Sequence, residues 1–184
     1  MFLLPDRYAW TIYTTDQPDY YVFDAGITSS FIGGRLLSRE RGPTPLRSHA
    51  RFAAVQDLDT LLLPGVTLTP LAPADRPAGT AVGATAVFAD DGARYRLGFD
   101  DEGQLVVVEG PLELPPFGNG VVEARVTEFR RMGGMTLPAR VAYRMGDQPF
   151  ADERTLAACP NPAALDVAAF AAPERLPQCP IAPE

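Results

Sequence analysis

Few side chains in this sequence stand at spacings that chemistry requires. Ser48 and His49 put a hydroxyl beside an imidazole, the pairing used in nucleophilic catalysis. They adjoin within a stretch expected to be helical, however, where neighbours one apart face different ways. No Gly-x-Ser-x-Gly turn exists to expose a serine, and His49 is expected at a helix boundary or on the surface. Asp90-Asp91-Gly92 and Asp100-Asp101-Glu102-Gly103 gather carboxylates of the kind that calcium binding or acid–base work needs. Neither has the alternating acidic spacing of a calcium loop, and both sit where tight turns want Asp and Gly, so turn chemistry accounts for them. Gly33-Gly34 and Gly133-Gly134 lack the strand–turn–helix setting of a phosphate loop and read as strand punctuation. The expectation is a chain that is not an enzyme, with no catalytic residue, no metal and no cofactor.

Two further groups carry other chemistry. Cys159 and Cys179, 20 positions apart, are the only cysteines. A disulfide between them would staple a Pro-rich tail and add about 3 kcal/mol by restricting the unfolded chain. The alternative is two small apolar thiols in a reducing compartment. The even count and terminal position favour the bridge, while two sulfurs and the single histidine are one ligand short of a zinc site. Arg39, Arg41, Arg47 and Arg51 form a local basic patch, either the solvated start of a helix or a contact for anionic headgroups.

The elements that would position these residues are mostly strands. Tyr8, Trp10 and Ile12 alternate with smaller partners, and the alternation resumes over 20–24 and 27–32 around an Ala25-Gly26 turn. Over 45–62 the period changes. Thr44 can cap a helix, Pro45 suits its first position, and Leu46, Ala50, Ala53, Ala54, Leu58, Leu61 and Leu62 form an apolar stripe that Pro64-Gly65 stops. Residues 70–79, with three prolines, read as an exposed loop. A β-meander follows over 80–158, then a short helix from Asn161-Pro162 to Phe170 and a tail to residue 184.

Two hairpins can be registered from sequence. A two-residue turn at Gly133-Gly134 sets Val122 opposite Met145, Ala124 opposite Tyr143 and Val126 opposite Val141 on one face, with Glu123 opposite Arg144 on the other. A four-residue loop at 100–103 sets Tyr95 against Val108, Leu97 against Val106 and Arg94 against Glu109.

Length fits one domain: 184 residues, 46% hydrophobic and 21% charged. Sixteen basic residues, all Arg, against 23 acidic give a net charge of −7, which disfavours nucleic acid as a partner. No run reaches the roughly 20 apolar residues of a membrane-spanning helix. Met1-Phe2-Leu3-Leu4 meets Pro5-Asp6-Arg7 before an apolar stretch of secretion-signal length forms, so the N-terminus does not report the compartment. One main helix, about 10 Å across, is narrower than a sheet of some seven strands spaced about 4.8 Å apart. Either some of the sheet's apolar face stays uncovered or the sheet curls around the helix, and the fold class expected is α+β, a curved antiparallel half-barrel wrapped around that helix.

The order of a Pro5-Asp6-Arg7-Tyr8 strand, an Asp24-Ala25-Gly26 hairpin, an Arg51-Phe52 helix and the Tyr95 to Gly103 hairpin resembles the bacterial lipoprotein-carrier superfamily. That group includes LolA-type outer-membrane lipoprotein carriers and the lipid-binding domains of envelope stress sensors. The run Phe129 to Val141, with its turn glycines and Leu137-Pro138, and the ending Asp166, Phe170, Pro173 add to the likeness. The resemblance implies an incomplete barrel with an apolar cavity, working in the periplasm or elsewhere outside the cytoplasm on a lipid, acyl chain or lipoprotein. A membrane surface or an envelope protein is a further partner. In that setting Tyr8, Trp10, Ile12, Tyr21, Phe23 and Phe31 on the early strands, with Val122, Val126, Val141 and Tyr143 on the meander, would line the cavity. The competing expectation is a protein-interaction or scaffold module whose cavity is filled by its own side chains and whose edge strand recruits a partner.

Overall fold

Alternation does produce strands, and more of them than the sequence suggested. The computed structural model describes residues 2–4, 7–12, 19–24, 27–32, 34–41, 51–52, 55–56, 58–114, 118–132 and 134–155. They form two antiparallel sheets in different compact units of the chain. The first has five strands in sequential order: β1 (Phe2–Leu4), β2 (Arg7–Ile12), β3 (Asp19–Asp24), β4 (Ile27–Ile32) and β5 (Arg35–Arg41). The second has seven, also sequential: β6 (Val66–Pro70), β7 (Val82–Phe88), β8 (Arg94–Phe99), β9 (Leu105–Leu114), β10 (Gly118–Met132), β11 (Met135–Met145) and β12 (Gln148–Arg154).

The expected α+β half-barrel around one main helix is thereby corrected. Neither sheet curls round or closes, and no helix of seven or more residues occurs among those described. Arg51, Phe52 and Val55 are helical, Gln56 is a turn, and α1 covers only Leu58–Leu61. Residues 45–50, the short helix from 161 and both cysteines lie outside the described residues. The reason for the break is one of phase. Among the described residues of this stretch, Phe52, Val55 and Leu61 are the buried apolar ones, whereas Leu58 and Leu62 of the expected stripe are exposed. On one continuous helix Phe52 and Leu61, nine residues apart, would face roughly opposite directions. Interrupting the helix at Gln56 lets both be buried.

The β10–β11 hairpin has the register read from sequence. Val122 pairs with Met145, Glu123 with Arg144, Ala124 with Tyr143 and Val126 with Val141. Farther along, Thr127 and Ala139 are each skipped, and the two irregularities cancel, so Phe129 to Met132 return to the same register.

The β8–β9 hairpin differs by two residues. Leu97, not Tyr95, pairs with Val108, and Arg96, not Arg94, pairs with Glu109. Asp100 is the cause. Its Oδ1 accepts from the N–H groups of Glu102 (3.0 Å) and Gln104 (2.8 Å), its own N–H donates to the Gln104 carbonyl, and Gly103 takes a φ of 80°. Gln104 is thereby drawn into the loop, and an irregularity beside Phe99 absorbs one more residue. A shift of two keeps every side chain on its expected face.

That face carries the core of the seven-stranded sheet: Ala86, Tyr95, Leu97, Val108, Leu112, Val122, Ala124 and Val141 are buried. Small residues make room for large ones. A Cβ at Gly110 would overlap the Tyr95 ring, and one at Gly120 would come within 2.8 Å of the Met145 sulfur. Tyr95 also meets Phe88 edge-on, with ring centroids 5.8 Å apart.

The opposite face carries cross-strand charges and the segment 71–81. This segment is more than the exposed loop expected. It forms a 3-10 turn at Pro73–Asp75, buries Pro77, and lays Pro77 and Thr80 against Gly98 and Arg76 against Gly83.

Candidate functional site

The half-buried end of the apolar face, on β10, β11 and β12, is where ionisable and apolar groups converge. Alternation along β11 brings Val141, Tyr143 and Met145 to the same face as Val122, Ala124 and Val126 of β10. Burial falls outward: Val122 and Val141 are buried, whereas Val126, Tyr143 and Met145 are half-buried. Next to them on the edge strand β12, Phe150 is exposed, and its ring lies 5.9 Å from that of Tyr143 at 53°.

Tyr143 is the polar centre of this region. Its hydroxyl donates to a carboxylate oxygen of Glu153 on β12, and the Gln56 side chain hydrogen-bonds to the same hydroxyl. Burial raises the Tyr143 pKa strongly, and the nearby Glu153 charge and its hydrogen bond raise it further. The phenol therefore stays neutral over the physiological range, a fixed donor for a carboxylate. Gln56, just before α1, is tied to the sheet through this hydroxyl.

Beyond this region the charges are laid out as cross-strand and same-face pairs. Arg96 pairs with Glu109 at 2.5 Å, Arg125 with Glu123 at 3.1 Å, and Arg140 with Asp152 at 2.5 Å. The Arg140 guanidinium hydrogen-bonds to Asp152 and holds its carboxyl below the usual range. Asp91 and Asp100 serve as turn residues, Asp91 Oδ1 accepting from the Ala93 N–H at 2.9 Å. Among the described residues, no group of three or more His, Cys, Asp or Glu side chains is placed to hold a metal.

The expected cavity residues fall into two sets. Val122, Val126, Val141 and Tyr143 come together on the seven-stranded sheet. The others belong to the five-stranded sheet, where Tyr8 pairs with Phe23 and Trp10 with Tyr21, and Ile12 pairs with Asp19. Phe31 pairs with Tyr20, and Tyr21 with Ser30, so Phe31 falls in the alternate register class from Tyr21. Tyr21 and Phe31 are both half-buried.

Sequence reasoning missed Gln56, Phe150 and Glu153. Gly146 (φ 59°) beside Asp147 was the available signal for the β11–β12 turn that places the latter two. It also placed Arg39 and Arg41 at the start of a helix, whereas both stand on β5, a strand announced by the Gly33-Gly34 turn. Ser48, His49 and Arg47 lie outside the described residues.

No protein-family model matches the chain, and no curated protein or solved structure is significantly similar to it.

Proposed function

We propose that this chain is a non-enzymatic binding protein that takes an apolar ligand, a lipid or the acyl chain of a lipoprotein, in the bacterial cell envelope. One observation carries the reading. The apolar face of the seven-stranded sheet continues beyond its buried centre, leaving Val126, Tyr143 and Met145 half-buried and Phe150 exposed beside them. A hydrocarbon chain laid there gains about 0.8 kcal/mol per CH₂ removed from water. The neutral phenol of Tyr143 and the Glu153 carboxylate mark the polar rim at which a headgroup or ester would stop. The test is native mass spectrometry of gently purified protein followed by organic extraction. Co-purifying lipid supports the reading, and a ligand-free protein that also fails to take up added fatty acid contradicts it.

A second reading is favoured by the central strands. There Tyr95 occupies the space over Gly110 and Met145 the space over Gly120, so this part of the interior is filled by the chain itself. A self-filled interior suits an interaction module that recruits a protein through an exposed edge such as β12, all seven residues of which are exposed. Capture of a protein partner that is abolished by a proline on β12, with no lipid bound, would establish this alternative.

A further inference from the structure

We propose that the β4–β5 hairpin tip is a docking element for an anionic lipid surface. The proposal concerns the five-stranded sheet and does not depend on the ligand reading above. The end of the hairpin is open at Gly34, which has a φ of 76° and where an added Cβ meets nothing within 4 Å. Three large apolar residues flank it in the open, with Ile32 49%, Leu36 50% and Leu37 68% exposed.

Register decides what kind of partner suits them. Ile32 pairs with Arg35, and Leu36 pairs with Phe31 one position along, so Ile32 and Leu36 stand on opposite faces of the hairpin. Leu37 is the extra residue at the register shift, pairing with nothing on β4. A protein surface would cover one face of such a tip and leave the other wet. A lipid interface surrounds both.

Charge points the same way. β5 carries Arg35, Arg39 and Arg41 against the single acid Glu40, in a chain of net charge −7. All three arginines are exposed, and among the described residues none is ion-paired. Arg39 stands three residues behind Leu36, about 10 Å along an extended strand. That spacing matches an apolar tip buried about 5–10 Å into the acyl boundary with its cations among the headgroups. Arg35, nearest the turn, has a stem long enough to reach back to the same layer.

The test is co-sedimentation of the full chain with vesicles of phosphatidylcholine, with and without phosphatidylglycerol. The wild type should bind the anionic vesicles about tenfold or more tightly than the neutral ones, with binding weakened by salt. Leu36→Ser with Leu37→Ser should lower that binding at least about tenfold, and Arg39→Gln with Arg41→Gln should remove most of the preference for anionic lipid. Circular dichroism checks that each exposed-site variant keeps its strands. Equal binding to both vesicle types, or undiminished binding by the leucine variant, overturns the proposal. Capture of polyglutamate in preference to anionic vesicles also overturns it, in favour of an acidic protein partner.

Discussion

Tyr143 illustrates how one hydroxyl joins three segments of the chain. It donates to Glu153 on the edge strand, and Gln56 reaches it from the segment before α1. Because burial and the Glu153 charge raise its folded-state pKa, the folded form holds the phenolic proton more tightly than the unfolded chain does. This contribution to stability is therefore complete below the ordinary tyrosine value near 10 and is lost as pH rises beyond it. Denaturant titrations across the alkaline range should show that fall. Tyr143→Phe should flatten it while costing about 1 kcal/mol at neutral pH. Gly110 tests packing at the same scale. Gly110→Ala forces a Cβ into the Tyr95 ring and should destabilise the fold by about 1–3 kcal/mol in urea unfolding. Asp152 gives the opposite pH sign: Arg140 lowers its pKa, so that contribution is present above the usual carboxylate range and lost as pH falls through the folded value.

At the scale of elements, what was legible depended on whether the physics was local. The β10–β11 register follows from a two-residue turn and two matching faces, both visible in sequence, and the structure has it. The β8–β9 register was misread because Asp100 captures two backbone N–H groups and lengthens the loop, a side-chain choice that hydrophobic periodicity does not report. A double-mutant cycle checks the corrected pairing. Arg96 and Glu109 should couple by about 0.2–1 kcal/mol, and Arg94 with Glu109 not measurably. The segment over 51–62 failed for another reason. Its stripe of leucines and alanines matched a helical period, but Phe52 and Val55, which lie outside that stripe, are buried, while of its described leucines Leu61 is buried and Leu58 and Leu62 are exposed. Which of two phases is buried is decided by the surface a helix meets, and that surface is tertiary. Strand β5 went unread because its arginines look like solvated helix residues when their cross-strand partners are unknown.

At the scale of the whole chain, period-two alternation marked strands over most of the length but not how they are shared out, and the expected α+β half-barrel is instead two open sheets. An apolar alternation says that each strand has one face to bury, and it is equally satisfied by one curled sheet or by two open ones. Four of the ten residues expected to line a cavity come together for the same reason. Val122, Val126, Val141 and Tyr143 share one face because the register that aligns them is local. Tyr8, Trp10, Tyr21 and Phe23 align among themselves through a second, separate ladder. The proposal that an apolar ligand lies on the outer strands of the larger sheet is tested most directly by titration with a fluorescent fatty acid. It predicts saturable binding by the wild type, weakened at least about tenfold by Val126→Asp in a protein that still unfolds cooperatively. Absence of binding, or binding that Val126→Asp leaves untouched, would contradict it.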